Sequence, residues 1–189
     1  MTPAPSPHDA AGPIRPAQAS DWPAIWEFFW PIVVAGETYA YDDNITCEQA
    51  AGLWMESPPG LTVVYEDGLP DGGPEGGPGG LHKGGRVLGS AKMGPNRPGR
   101  GAHIGTASFM VSPQARGQGV GRALAEWMIE WHRTQGYAGI QFNAVVETNV
   151  AAVGLWQALG FRIIGTVPGA FRSRAHGPVG LHVMFLELG

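Results

Sequence analysis

A glycine-rich stretch between a predicted strand and a predicted helix constrains this chain more than any other feature. Residues 114–122 read QARGQGVGR. The residues before it, 102–111, predict a long strand, and residues 119–135 predict a helix that Gly136 ends. Glycine lets the backbone approach a ligand without a Cβ atom, and the first N–H groups of a helix attract anions. The stretch therefore predicts an anion-binding turn in an α/β fold.

The spacing of the glycines excludes two common nucleotide-binding motifs. Arg122 stands where a dinucleotide fingerprint requires its third glycine, and no Gly-Lys-Ser/Thr follows that would form a triphosphate loop. The pattern that remains is Gln/Arg-x-x-Gly-x-Gly/Ala, matched by Gln114, Gly117 and Gly119. The alternative is a tight strand-to-helix connection that binds nothing.

Further strands and helices are predicted on both sides of this turn, in the order β-α-α-β-β-β-α-β-α-β-β. This order mixes antiparallel hairpins with a βαβ crossover, which indicates a mixed sheet. The predicted strands are 14–16, 61–65, 86–93, 102–111, 140–146, 161–167 and 181–188. The predicted helices run from Ser20 or Asp21 to about 34, from a Thr46–Gln49 capping box to before Pro58, from 119 to 135 and from 149 to 159.

Two segments are predicted to be flexible. Residues 1–13 form a tail, and residues 66–85 contain nine glycines and three prolines. Such a composition buries too little apolar surface to offset its ordering entropy, so we interpret 66–85 as a hairpin insertion. The remainder, 14–189, is predicted to be one domain.

Composition excludes several classes of partner. A formal net charge of −4 and the lack of a basic stripe argue against nucleic acid. No run of about 18 apolar residues and no signal peptide occur, so we expect a cytoplasmic protein without a membrane partner. Cys47 is the only cysteine, which excludes thiolate metal clusters. We expect it to be buried rather than catalytic, and we expect no metal.

A second motif follows the next predicted strand. Residues 149–161 read NVAAVGLWQALGF, and Asn149 stands in a helix N-cap position. With both motifs in this order, the chain resembles the GCN5-related N-acetyltransferases, whose second coenzyme-binding segment is Asn-x-x-Ala followed by an aromatic residue and Gly-Phe. The resemblance implies a mixed sheet of six to seven strands with splayed middle strands and about four helices.

The resemblance also implies acetyl-CoA as cosubstrate. In the family the glycine turn binds the pyrophosphate, and the end of the preceding strand binds the pantetheine arm as an added strand would. The residues that correspond here are Phe109, Met110, Val111, Gln114, Arg116, Gly117, Gln118, Gly119, Val120, Gly121, Arg122, Asn149 and Trp156.

One position departs from the family pattern. The frequent general acid of the family is a tyrosine, and Trp156 stands at the matching position, where indole N–H is only a hydrogen-bond donor. The resemblance implies direct attack of the amine on the thioester, without a covalent enzyme intermediate. The sequence leaves the base open among four residues, which are Glu37, His103, Glu147 and His182.

A closer resemblance concerns residues 141–149, QFNAVVETN. Together with Leu155-Trp156, these residues resemble the subgroup that contains the fungal azetidine-2-carboxylate N-acetyltransferases. This implies a substrate-site role for Asn143, whose amide could orient the acceptor or a catalytic water, and we take Asn143 and Glu147 as the catalytic candidates. The alternative for Asn143 is a hydrogen bond that completes a β-bulge.

The loop between the first two helices is the second substrate-site candidate. In the family, loops at this position lie over the open end of the splayed strands, which points to Glu37, Thr38 and Tyr39. The predicted reaction moves an acetyl group to the amine of a small molecule, such as an amino or imino acid. Alternatives are a protein or antibiotic amine as acceptor, or a non-catalytic acyl-CoA sensor. A homodimer is compatible with the apolar last strand.

Overall fold

Seven strands form one mixed sheet in the computed structural model, which describes residues 13–68 and 85–189. The strands are β1 (Ile14–Pro16), β2 (Leu61–Asp67), β3 (Arg86–Pro95), β4 (Ile104–Val111), β5 (Gly139–Val146), β6 (Arg162–Ser173) and β7 (Gly177–Glu187). The helices of more than one turn are α1 (Trp22–Ala35), α2 (Cys47–Trp54), α3 (Val120–Thr134) and α4 (Val150–Ala158). The predicted tail and most of the predicted insertion at 66–85 lie outside the described residues.

The strand order is β1-β2-β3-β4-β5-β7-β6. Neighbours pair antiparallel except β4 and β5, which are parallel because α3 carries the chain across the sheet between them. This arrangement confirms the predicted mixed sheet with four helices. The last two strands are longer than predicted, since they form a hairpin that reaches Ser173 on one side and Gly177 on the other.

The two faces of the sheet carry different helices. Side chains of α3 and α4, such as Leu124, Met128 and Trp156, form one hydrophobic cluster with Ile140 and other sheet residues. A second cluster joins α1 and α2 to the opposite face and contains Met110 of β4. Amphipathic helices bury their apolar stripes in this way. None of the helices within the described ranges is long and apolar enough to span a membrane.

The start of α2 confirms one prediction and corrects another. The Thr46 hydroxyl accepts a hydrogen bond from Gln49 N–H at 3.2 Å, and the Gln49 side chain accepts from Thr46 N–H at 2.9 Å, which is the predicted capping box. The prediction that Cys47 is buried is wrong. Cys47 is exposed because it begins α2 on the outer side of its first turn, although Trp22 Nε1 donates to its Sγ.

A buried histidine marks the point where β4 and β5 begin. His132 of α3 is fully buried, and its Nδ1 lies 2.8 Å from the Met128 carbonyl oxygen. A Cβ atom on Gly105 would come within 2.2 Å of the imidazole ring, so only glycine leaves room for it. Burial lowers the pKa of His132 to about 4, which keeps the ring neutral in the folded protein.

This pKa predicts acid sensitivity. In the unfolded chain the imidazole takes up a proton near its ordinary pKa of 6.5, so protons favour unfolding as the pH falls from about 6.5 towards 4. We expect His132 to reduce the free energy of unfolding by roughly 3 kcal/mol over this range. Denaturant titration at several pH values measures the change. His132→Gln should flatten the curve, whereas His103→Gln, which removes an exposed imidazole, should keep it; identical curves for the two variants would contradict the assignment.

Candidate active site

The strands β4 and β5 pair only where they begin. Their parallel ladder contains two residue pairs, Ile104 with Gly139 and Gly105 with Ile140. Beyond Gly105 the two strands separate and leave a gap in the middle of the sheet. The structure therefore shows the splayed middle strands that the sequence resemblance implied.

The main chain of β4 directs polar groups into this gap. Ser112 N–H donates to the Leu88 carbonyl at 2.8 Å, and Asn96 N–H donates to the Ile104 carbonyl at 2.8 Å. Hydrogen-bonded pairs alternate in an antiparallel ladder, so the even-numbered residues of β4 bond to β3. The N–H and C=O groups of residues 107, 109 and 111 consequently point away from β3 and towards β5. This edge of β4 can pair with an extended ligand that carries amide groups.

The glycine turn lies at the end of this edge. A single 3₁₀ turn at Pro113–Ala115 follows β4, and the chain then reaches α3 through Gly117 and Gly119. Their φ angles are +78° and +81°, which L side chains adopt only with strain. Gly119 is the N-cap of α3, and no side chain caps this helix end. Its first N–H groups and the positive end of its dipole therefore favour an anion here.

The other residues of the turn have separate roles. Gly121 has an ordinary helical conformation, and a Cβ atom there would lie 3.6 Å from Val111, so this position serves packing. Gln114 accepts a hydrogen bond from Arg86 at 3.2 Å, and the Gln118 side chain donates to the Gln114 carbonyl at 2.9 Å. Two exposed cations, Arg116 and Arg122, flank the turn. They add positive charge beside the helix end.

The second motif closes the other side of the gap. Asn149 is the N-cap of α4, and its side-chain oxygen accepts from Ala152 N–H at 3.3 Å. Trp156 is 6% exposed and packs against Phe109 and Phe142, with ring centroids 4.8 Å and 4.7 Å away. The Trp156 indole thus forms an apolar wall behind β4, on the same face as α3.

Asn143 lies in a β-bulge of β5. The register with β7 shifts between Phe142 and Val145, so Asn143 and Ala144 together oppose one residue of β7. The Asn143 side chain contacts Gln141 at 2.8 Å and Asn96 at 2.6 Å, rather than completing the bulge. A row of amide groups therefore faces the α1–α2 side of the gap.

A cavity of about 330 Å³ adjoins these amides. It lies between the end of α2 and the β3–β4 strands, and its polar lining consists of Glu56, Ser57, Lys92, Thr106, Ser108 and Asn143. Lys92 Nζ donates to Glu56 at 3.1 Å. A larger cavity of about 600 Å³ lies against α2 and the later part of the α1–α2 loop, but none of the residues predicted for the site lines it. The smaller cavity is thus the candidate for a small polar acceptor.

The loop between α1 and α2 is held at two points by the turn between β6 and β7. The Glu37 carboxylate accepts hydrogen bonds from the Ser173 hydroxyl at 2.6 Å and from Ala175 N–H at 2.8 Å. These bonds lower the pKa of Glu37, which favours an anchoring carboxylate over a base. Further along the loop, Asp43 forms a salt bridge with Arg174.

Between these anchors, the loop reaches β4. The Tyr39 hydroxyl accepts a hydrogen bond from Phe109 N–H at 3.0 Å and donates to the Phe109 carbonyl at 2.5 Å. Thr38 Oγ1 is buried and has no hydrogen-bond partner among the described residues. Two residues of the predicted substrate loop are therefore next to the gap or buried beside it, and Glu37 holds them there.

The remaining base candidates lie at different places. Glu147 directly follows β5, and its carboxylate accepts from Gly180 N–H of β7. His182 lies on β7, where its Nδ1 is 2.8 Å from the Thr166 hydroxyl. His103 precedes β4, at the opposite end of that strand from the glycine turn, with its Nδ1 3.1 Å from the Arg100 carbonyl. Of the three, His103 is farthest along the chain from the glycine turn, and the roles of Glu147 and His182 stay predictions.

Sequence reasoning missed several residues that shape this region. Asn96, Glu56 and Lys92 border the cavity, and Ser173 and Arg174 hold the substrate loop. No linear signal marks them, because their partners are between about 36 and 136 residues away along the chain.

Comparison with known proteins now decides the family. A family model described as the acetyltransferase (GNAT) family matches residues 22–161. The chain belongs to the GNAT family. The family and the enzyme class predicted from the sequence, an N-acetyltransferase, are thus confirmed.

Individual relatives cover parts of this GNAT chain. The N-acetyltransferase aca1 of Schizosaccharomyces pombe is 37% identical over 90 residues, which are 48% of this chain and 43% of that protein. The L-methionine sulfoximine/L-methionine sulfone acetyltransferase of Pseudomonas aeruginosa is 40% identical over 86 residues, which are 44% of this chain and 49% of that protein. The matches thus span less than half the length of these relatives.

Solved structures match over nearly the whole chain. A GCN5-related N-acetyltransferase from Kribbella flavida is 56% identical with a TM-score of 0.82, and the match covers 93% of this chain and 96% of that one. A phosphinothricin acetyltransferase from Sinorhizobium meliloti, solved in complex with AcCoA, is 21% identical with a TM-score of 0.77. That match covers 95% of this chain and 90% of the other, and it shows the shared fold.

Proposed function

We propose that this GNAT protein transfers an acetyl group from acetyl-CoA to the amine of a small amino or imino acid. The observation that carries the proposal is the continuous path from the gap-facing edge of β4 to the uncapped N-terminus of α3. The edge offers N–H and C=O groups at alternate residues, which suit the two amides of a pantetheine arm. The helix N-terminus that follows suits the pyrophosphate.

The residues fit this cosubstrate in charge as well as in shape. Gly117 and Gly119 carry no side chain over the helix end, and Arg116 and Arg122 lie beside it. The structure of the S. meliloti neighbour contains AcCoA on the same fold. Acetyl-CoA would supply the thioester carbon that the acceptor amine attacks. Phe109 N–H is the main-chain donor that we assign to the thioester oxygen as negative charge develops on it.

The acceptor is assigned to the α1–α2 side of the gap. The cavity of about 330 Å³ next to Asn143 suits a small molecule, and its polar lining suits an acceptor with charged or hydrogen-bonding groups. The P. aeruginosa relative is named for acetylating amino-acid derivatives, which supports the same class here. We assign acceptor binding to Glu37, Thr38, Tyr39 and Asn143. Because Trp156 is no practical acid, water is the simplest proton donor for the departing thiolate.

Calorimetric titration with acetyl-CoA, followed by a free-thiol assay with amino acids, imino acids and short peptides, tests the proposal. We expect binding, and release of free thiol with at least one amino or imino acid. Thiol release with peptides alone would replace the small acceptor by a protein amine. Binding without release in the presence of any acceptor would indicate a sensor, and a lack of binding would refute the cofactor site.

Asn143 offers a prediction on the acceptor side. We expect Asn143→Ala to lower kcat/KM for the acceptor by about tenfold or more, since an amide that orients a polar substrate contributes roughly 1–3 kcal/mol. The affinity for acetyl-CoA should stay unchanged. Initial rates at varied acceptor concentration provide the measurement.

Gln141→Ala is the matched control for Asn143. Gln141 belongs to the same amide row and donates to Asn143, but it does not line the cavity. We expect this control to retain most of the activity. Equal losses in the two variants would show that the row as a whole, rather than Asn143, supports the reaction.

A further inference from the structure

One tyrosine hydroxyl occupies both main-chain groups of the residue at the centre of the gap. Tyr39 Oη lies 3.0 Å from Phe109 N and 2.5 Å from Phe109 O, so it accepts from one group and donates to the other. A phenol can do both at once because its oxygen is donor and acceptor. Burial of the hydroxyl raises the pKa of Tyr39, which keeps the phenol protonated and able to donate.

These two groups are the ones that an added strand would use. Phe109 lies midway along the gap-facing edge of β4, between residues 107 and 111, which face the same way. A ligand that pairs with this edge needs the N–H and the C=O of Phe109. One N–H proton and the same face of one carbonyl cannot serve the ligand and the Tyr39 hydroxyl together.

The surroundings of Tyr39 define how it can give way. Its ring stacks on Tyr41 with an interplanar angle of 1° and meets Trp54 edge-on. The loop on both sides of the ring is held by the β6–β7 turn, through Glu37 and Asp43. With both flanks anchored, the Tyr39 side chain can rotate away while the loop backbone keeps its place.

We propose that Tyr39 is an internal competitor for the cofactor subsite at Phe109. In the free protein its hydroxyl satisfies the strand edge, and the pantetheine arm of acetyl-CoA displaces it on binding. This inference rests on the proposed function, because it requires acetyl-CoA to pair with β4. It makes Tyr39 a residue that sets cofactor affinity and links the occupied cofactor site to the loop beside the acceptor cavity.

The test compares two variants and two ligands. Tyr39→Phe keeps the ring but removes the hydroxyl, and Tyr41→Phe does the same to the adjacent stacked ring as the matched control. Acetyl-CoA reaches both the glycine turn and Phe109, whereas adenosine 3′,5′-bisphosphate lacks the pantetheine arm. We expect Tyr39→Phe to lower the Kd for acetyl-CoA about fivefold, equivalent to roughly 1 kcal/mol. The Kd for the bisphosphate, and both Kd values of Tyr41→Phe, should stay as in the wild type.

Several outcomes would overturn the inference. An unchanged Kd of Tyr39→Phe for acetyl-CoA would make the tyrosine merely structural, and a raised Kd would mean that its hydroxyl holds the cofactor. Failure of the wild type to bind acetyl-CoA would instead refute the proposed function.

A second measurement uses the wild-type protein and does not depend on the variant folding. The chain has four tyrosines, so ring-labelled tyrosine gives a simple NMR spectrum. We expect the Tyr39 resonance to shift on addition of acetyl-CoA and to stay in place with adenosine 3′,5′-bisphosphate. A Tyr39 resonance that ignores acetyl-CoA at saturating concentration would contradict displacement.

Discussion

Gly119→Glu is expected to abolish acetyl-CoA binding, with a Kd at least about 100-fold higher than that of the wild type. The added carboxylate would stand at the N-terminus of α3, where the proposed pyrophosphate binds, and like charges a few ångströms apart repel by roughly 1–4 kcal/mol. The carboxylate also takes the helix N–H groups that the ligand needs. A Cβ atom on Gly119 meets nothing within 4 Å, so the side chain extends into the space assigned to the ligand rather than into the protein.

Gly136→Glu is the matched control for this variant. Gly136 follows the other end of α3, has a φ angle of +77°, and also has nothing within 4 Å of an added Cβ atom. Both variants therefore bear a similar cost of a left-handed side chain, roughly 1–2 kcal/mol. Calorimetric titration should show lost binding in Gly119→Glu alone. Wild-type affinity in that variant would refute the pyrophosphate site, and equal losses in both would point to general destabilisation.

Trp156→Ala is expected to cost the protein about 3–5 kcal/mol of unfolding free energy, as truncation of a buried tryptophan usually does. The Trp156 ring is 6% exposed and is enclosed by Phe109, Phe142 and Phe161. For a chain of this length the loss corresponds to a fall in Tm of about 6–20 °C. The same truncation removes the wall behind Phe109, so acetyl-CoA binding should also weaken at temperatures where the variant is folded.

Val150→Ala shortens a side chain on the same helix that is 76% exposed. We expect it to change the unfolding free energy by less than about 0.5 kcal/mol. Thermal and denaturant unfolding of both variants measure the difference. A cost below about 1 kcal/mol for Trp156→Ala would mean that the aromatic cluster does not depend on this ring.

Local patterns were enough to predict much of this fold. The Thr46–Gln49 capping box, the N-cap at Asn149 and the glycines that end α3 and α4 act over a few residues, so the sequence displays them directly. The glycine turn is a local signal of the same kind. Element ends were less certain, because the length of β6 depends on its pairing with β7 rather than on its own residues.

The acceptor side depends on contacts between distant segments, and the sequence shows none of them. Tyr39 and Phe109 are 70 positions apart, and Glu37 and Ser173 are 136 apart. Which groups meet is decided by the crossover through α3 and by the β6–β7 hairpin. The misplaced Cys47 has a similar origin, since burial of a residue at a helix end depends on what packs above it.

The double attachment of the α1–α2 loop to the β6–β7 turn has a consequence for engineering. Glu37 and Asp43 reach Ser173, Ala175 and Arg174, so the two segments form one interlocked unit. A chimera that imports residues 36–46 from a homologue alone would bring a loop whose fasteners are missing. Acceptor preference in this scaffold should therefore be transplanted as a pair of segments, with residues 173–176 moved together with the loop.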